Sequence, residues 1–390
     1  MHRLFPLFLV VVGSSFILLL TLGSQLTRYG FGILLSPESK RLAFSPEEHR
    51  AFLDSHRFVL IGGSHRGGTT LLWRLLTRHP DTSGFDENSD TDFGEGAFLQ
   101  TVIPTFGIGK ELTFGGGVHR RGANAGLGRY AFSPDSHLTE AHSLNTHASS
   151  QRLVDEWAFH WNTSRTVLLE KTPTNMMTSR LLQSLLAPSV NFLFITRHPL
   201  AVSLAHMRWP CCSGMSVSSL LLHWIVSHQV LASDMPHLRA AKVLRYEDLV
   251  QDPSSCIKDV LRWLKLPTGV ASLPTRDVAS NTNRKYENEY CSRHLDSQGA
   301  QEEHCAMAVV LQPELDKLQL GYNVLHGGSL GFACIRETIR QGHDPKLCEH
   351  TPSSVSVRRS LDGMQQLHSN LKPLPLGGHA MGSSTCLHSA

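Results

Sequence analysis

Short apolar runs alternate along this chain with stretches in which apolar residues return at helical spacing. The runs are Phe58-Val-Leu-Ile61, Thr166-Val-Leu-Leu-Glu170, Asn191-Phe-Leu-Phe-Ile-Thr196 and Lys242-Val-Leu-Arg-Tyr246. Each reads as a strand. A helix is expected after each of the first three: Thr69 to Arg78, stopped by His79-Pro80; a stretch through Leu186; and one following Arg197-His-Pro-Leu. Leu220 to Leu231 reads as a further helix. Strands that alternate with helices predict an α/β fold with a central parallel sheet flanked by helices, and ligands at the carboxyl ends of the strands. The expected organisation is an apolar segment at 1–28, a stem at 29–56, the α/β domain at 57–325 and a partly disordered tail at 326–390. Gly, Ser, His and Pro dominate that tail, which Cys334 and Cys348 could pin.

Residues 4–22 are apolar or small without a charge, long enough to span a bilayer as a transmembrane helix. A cleaved signal peptide is the rival, although its apolar core is normally shorter, about 7–15 residues. Either reading exports the domain. The basic residues Arg3 and Arg28 flank the segment and leave its orientation undecided. Eight cysteines suit disulfides in an oxidising lumen, and Asn162-Thr-Ser164 is a glycan acceptor that would make the product a glycoprotein. At 390 residues and 41% hydrophobic content the chain supports one large domain, and a net charge of +3 implies no nucleic-acid surface. The 23 histidines would raise that charge in a mildly acidic compartment if they titrate normally. His137, His142 and His147 recur every five residues, which is not one helix face, so they read as loop histidines rather than a metal site.

The first strand runs into Gly62-Gly-Ser-His-Arg-Gly-Gly-Thr-Thr70, and a leucine-rich helix follows. Glycines in such a turn let backbone N–H groups converge on an anion, and the helix aims its positive end at the same point. Against the nucleotide-binding pattern G-x-x-x-x-G-K-S/T, Gly62, Gly67 and Thr69 match, but Gly68 stands in place of the lysine. A nucleoside-triphosphate kinase needs that lysine on its phosphates. Here the loop cation is Arg66. A long glycine- and aspartate-rich segment then runs to about residue 130, with several carboxylates just past the loop helix.

The block around Arg66-Gly-Gly-Thr-Thr70 resembles the 5′-phosphosulfate loop of sulfotransferases, K/R-S-G-T-T, with Gly67 in place of the serine. The arginine form is similar to that of Golgi tyrosylprotein and carbohydrate sulfotransferases. Arg197-His-Pro resembles the family's second motif, R-D/N-P, which grips a 3′-phosphate. The serine expected eight residues after the arginine is Ala205 here, leaving Ser203 or His206 to take its place. Arg245-Tyr-Glu-Asp-Leu resembles R-Y-E-D-L, Glu170-Lys-Thr-Pro resembles the N-K-D-P segment that carries a catalytic lysine, and Asn281-Thr-Asn-Arg-Lys-Tyr286 falls where a loop closes over the cofactor.

The resemblance implies a P-loop-like sulfotransferase fold. It also implies transfer of a sulfuryl group from 3′-phosphoadenosine 5′-phosphosulfate to an acceptor hydroxyl, a protein tyrosine or a glycan, with no metal. Catalytic candidates are then Arg66, Glu95 as base and Lys171, with Glu87, Asp92 and Glu140 as alternative bases. Donor-binding candidates are Gly63, Ser64, His65, Arg66, Gly67, Gly68, Thr69, Thr70, Arg197, Ser203, Tyr246, Arg284 and Lys285. Implied partners are the acceptor and the membrane, with a homodimer open. The expected location is a single-pass Golgi or secretory membrane, catalytic domain in the lumen. A P-loop small-molecule kinase and a nucleotide-binding relative without turnover are the alternatives.

Overall fold

The computed structural model describes residues 41–85, 94–106, 111–114, 117–121, 126–269, 283–295 and 297–324. The apolar segment 4–22, the tail 326–390, and Glu87 and Asp92 lie outside them. The chain divides into two compact units, Met1–Arg41 and Leu42–Ala390, and the second carries the sheet.

Five parallel strands form that sheet: β1 (Arg57–Gly63), β2 (Thr82–Gly84), β6 (Val167–Lys171), β7 (Val190–Thr196) and β8 (Ala241–Arg245), in the order β2-β6-β1-β7-β8. β1 is central: the chain passes from it to the β2 edge, returns to β6 beside β1, then crosses to β7 and runs outward to β8, which puts a switch point beside β1. Three further short strands, β3 (Thr105–Phe106), β4 (Glu111–Phe114) and β5 (Gly117–Arg121), form a separate antiparallel sheet. They fall inside the stretch that reads as a loop, where no sustained alternation marks them.

The apolar runs make two cores by alternation. Phe58, Leu60, Leu168, Phe192 and Phe194 face one, and Val59, Ile61, Leu169, Leu193 and Ile195 face the other. The first is closed by α4 (Asn175–Leu185), α5 (Pro199–Met207) and α6 (Val217–Asp234), and the second by α2 (Thr69–Leu76), α7 (Tyr246–Gln251) and α8 (Pro253–Trp263). Leu60 is fully buried at the centre, and removing such a side chain to alanine costs about 2–5 kcal/mol.

The stretch 29–56 that reads as stem ends differently. Pro46–Ser55 is a helix, α1, closed by a capping box in which the Ser45 hydroxyl accepts from the Glu48 amide and the Glu48 carboxylate accepts from the Ser45 amide. Leu42 N also donates to the Asp155 carbonyl at 2.9 Å, in α3 (His147–Ala158). Packing of Phe52 into the first core ties the helix to the domain. Pro46 stands at the helix start, where its missing N–H costs nothing.

Candidate active site

Three segments leave adjacent strands at one sheet edge. In register, Ile61 lies beside Lys171 of β6, and Gly63 beside Ile195 of β7. The glycine turn after β1, Lys171 at the end of β6 and the Arg197 turn after β7 are therefore neighbours by topology.

The glycine turn folds on itself through the Gly67 amide, which donates to the Ser64 carbonyl at 2.8 Å. Gly68 begins α2 at φ 107°, and a Cβ there would lie 2.5 Å from the Tyr246 ring, so no side chain fits. No side chain caps α2, which leaves its first amides and positive end facing the turn. The Ser64 hydroxyl is buried without a hydrogen-bond partner among the described residues. Arg66 takes the left-handed region at φ 64°, a conformation that costs a non-glycine residue about 1–3 kcal/mol and concentrates at ligand sites. Its exposed guanidinium lies 5.3 Å from the Trp209 ring centre.

Behind the turn, His65 packs edge-on to Tyr130, His206 and Trp209. Burial pushes His65 down to about 3 and His206 to about 4, with His206 and Lys171 adding to the first and Arg66 to the second. His223 and His228 are lowered by burial as well. These imidazoles stay neutral in a mildly acidic compartment, so they do not raise the charge as free histidines would. His137 is no solvated loop residue either, since its Nε2 lies 3.0 Å from both oxygens of Asp234.

Arg197 is nearly buried. Its Nη1 donates to the Arg66 carbonyl at 3.0 Å and its Nε to Asn283 Oδ1 at 2.7 Å, while the guanidinium lies 4.3 Å from the Tyr246 ring and 5.3 Å from that of Tyr286. The two cationic turns are thus joined directly. Glu247 organises the second one. Its Oε1 accepts from the His198 amide at 2.9 Å and from Asn283 Nδ2 at 2.7 Å, and its Oε2 accepts from the Tyr322 hydroxyl at 2.8 Å. The Arg245-Tyr-Glu-Asp segment divides its labour accordingly. Arg245 pairs in two hydrogen bonds with Asp248, while Tyr246 and Glu247 serve the turn.

Lys171 Nζ donates to Glu95 Oε1 at 3.0 Å, both residues being buried. Burial raises the Glu95 carboxyl above its ordinary range, and Lys171 pulls it back in part. Glu170 holds the backbone beside this pair, accepting from the Gly96 amide at 3.0 Å, from Thr172 Oγ1 and from Asn175 Nδ2. A Cβ on Gly96 would lie 2.6 Å from the Glu170 carboxylate, so only glycine permits that grip. The Ala97 amide donates to Thr172 Oγ1 and Trp157 Nε1 to the Gly96 carbonyl, both at 3.0 Å. Burial carries the Glu170 carboxyl up to about 7.

The structure brings together residues 63–70, Lys171, Glu95, Arg197 and Tyr246. Ser203 is buried in α5 with its hydroxyl donating to the Pro199 carbonyl at 2.9 Å, and His206 Nδ1 lies 2.9 Å from the Val202 carbonyl. Arg284 and Lys285 are exposed on the first turn of α9 (Arg284–Arg293), and residues 281–282 fall outside the described part. The alternative base Glu140 is engaged by Arg180, whose hydrogen bond holds its carboxyl down at about 2. Asn283, Glu247 and Glu170 escape a reading of the sequence because each acts through another residue. The only signal is that each stands within or beside a motif residue.

The family model described as "Sulfotransferase family" matches residues 59–269, which spans both turns and Lys171. No curated protein matches the sequence. Among solved structures, a sulfotransferase from Alicyclobacillus acidocaldarius aligns at 15% identity and TM-score 0.36, over 63% of this chain and 94% of that one. The sulfotransferase STF1 from Mycobacterium tuberculosis aligns at 14% and 0.37, over 63% and 80%. A sulfotransferase domain from the curacin biosynthetic pathway aligns at 16% and 0.33, over 81% and 97%.

Proposed function

The chain belongs to the sulfotransferase family, and from that premise we propose that it moves the sulfuryl group of 3′-phosphoadenosine 5′-phosphosulfate to an acceptor hydroxyl, on a protein tyrosine or a glycan. The observation that carries the donor assignment is the hydrogen bond from Arg197 to the Arg66 carbonyl, because it puts two anion-binding turns within reach of one nucleotide. The amides of 64–70 and Arg66 hold the 5′-phosphosulfate, Arg197 holds the 3′-phosphate, and Tyr246 packs between them.

In this reading the acceptor oxygen attacks sulfur in line while the bond from sulfur to the bridging phosphate oxygen breaks. The acceptor proton goes to the Glu95 carboxylate, and Lys171 and the loop amides stabilise the charge growing on the departing 5′-phosphate. Glu95 and Lys171 reach this step already paired and buried, so little reorganisation remains. A kinase reading is disfavoured by Gly68 in the lysine position.

The location proposed is a secretory membrane such as the Golgi, with the segment 4–22 as anchor and the domain in the lumen. Disulfide bonding of Cys256, Cys291 and Cys305 and the exposed Asn162 of the glycan acceptor agree with export. Among the described residues no helix is long and apolar enough to cross a membrane.

A transfer assay with labelled donor against tyrosine peptides and glycans tests the function. Transfer by the wild type that collapses in Arg66→Ala and Lys171→Ala is expected. Undiminished transfer by both variants would refute the assignment. Tight binding of adenosine 3′,5′-bisphosphate with no transfer to any acceptor would favour a relative without turnover.

A further inference from the structure

The turn that follows α5 carries Trp209-Pro-Cys-Cys-Ser213, and Cys211 and Cys212 are free thiols in a chain whose Cys256, Cys291 and Cys305 are disulfide-bonded. The two sulfurs lie 2.6 Å apart, so each thiol has the other as its nearest reaction partner. Cys211 is half-buried and reachable, whereas Cys212 is fully buried against Met215 and Leu220 with its thiol directed to the Leu127 carbonyl at 3.5 Å. From this geometry we infer that Cys211 and Cys212 form an oxidisable dithiol that closes to a vicinal disulfide by exchange with a small external disulfide, and that the closed form stiffens the Arg66 turn through Trp209.

The exchange proceeds in two displacements. The Cys211 thiolate attacks one sulfur of the external disulfide and expels the first small thiol. Cys212 then gives up its proton and attacks the Cys211 sulfur, expelling the second. Two electrons pass from the dithiol to the external disulfide, and the two protons end on the two released thiols. Burial and the neighbouring thiol push Cys212 up to about 12, which agrees with Cys211 reacting first.

The link to the donor turn is short. The Cys212 amide donates to the Trp209 carbonyl at 3.0 Å, and the Trp209 amide to the His206 carbonyl at 2.8 Å. The Trp209 ring lies under the Arg66 guanidinium and edge-on to His65 and His206. Ring closure fixes the peptide between the two cysteines, and with it the backbone that presents Trp209. The coupling concerns residues 62–70 whatever they bind, so only its meaning for catalysis rests on the donor assignment.

Trypsin cleaves after Arg208 and Arg239 and releases a peptide whose only cysteines are these two. The purified protein, equilibrated with oxidised or reduced glutathione, is alkylated without further reduction and digested. The oxidised sample should give this peptide two hydrogens lighter and unalkylated, and the reduced sample should carry two alkyl groups. Full alkylation after oxidation, a lasting glutathione adduct or a link to another peptide would overturn the inference. Hydrogen exchange of the 62–70 amides, measured without ligand, should slow by roughly fivefold or more on oxidation. The Cys211→Ser/Cys212→Ser variant should exchange alike in both buffers. Equal wild-type rates, or a shift that persists in the variant, would sink the coupling while leaving the nucleotide assignment to its own assay.

Discussion

The two cationic turns sit side by side on β1 and β7 yet are built by opposite means. The turn after β1 is mostly backbone: amides, a helix end, glycines where side chains cannot fit, and a backing of neutral imidazoles. The turn after β7 depends on one side chain, Arg197, which two tyrosine rings flank and which Asn283 and Glu247 wire to distant parts of the chain. The first should therefore break when atoms are added. The second should break when supports are removed.

Several substitutions and one pH series test that contrast, in falling order of effect. Gly68→Ala forces a Cβ into Tyr246 from a left-handed backbone, and adenosine 3′,5′-bisphosphate affinity measured by calorimetry should fall by about a hundredfold or more. Arg197→Ala removes charge-assisted hydrogen bonds and should weaken the same binding by roughly thirtyfold, with Arg197→Lys recovering little because the planar fork is lost. Glu247→Ala leaves Arg197 in place but unbraced, so KM for the donor should rise about tenfold with kcat nearly unchanged.

Acidification should act through the buried imidazoles, His65 and His206 behind the first turn and His223 and His228 in α6. His65 and His206 have folded values of about 3 and 4, below the ordinary 6.5, so the unfolded chain binds more protons between those limits. Stability is present above about pH 6.5 and is lost as pH falls through the window, by up to about 1.4 kcal/mol per unit for each ring. A melting series from pH 7 to pH 5 on the wild type and a His65→Gln variant reads the His65 share apart from the opposing gain of the Glu170 carboxyl, which burial raises to about 7, and equal slopes in the two would contradict the buried neutral assignment. Tyr286→Leu should cost only about two- to fivefold in affinity, the worth of one cation–π contact.

The same contrast explains what a sequence can disclose. Strands β1, β6 and β7 were legible because burial on both faces leaves apolar runs ended by Gly, Pro or charge, whereas β8, at the sheet edge, shows only its buried Val243-Leu244 pair. β2 was not, since three residues of edge strand carry no periodicity. α1 hid behind Pro46, although Ser45-Pro-Glu-Glu48 spells a capping box. At the site, the glycine turn announces itself locally because its ligands are its own amides. Arg197 was legible as a motif, but its braces were not: Glu247 and Asn283 lie 49 and 86 residues from the residues they hold. Glu170 sits next to Lys171 in sequence, yet its task is to grip Gly96 across 74 residues.

The most direct test of the account is a crystal structure with adenosine 3′,5′-bisphosphate bound. The account predicts one nucleotide spanning both turns, its 5′-phosphate on the amides of residues 64–70 and its 3′-phosphate on Arg197. A nucleotide held at one turn only, or seated away from the β1 and β7 edge, would contradict it.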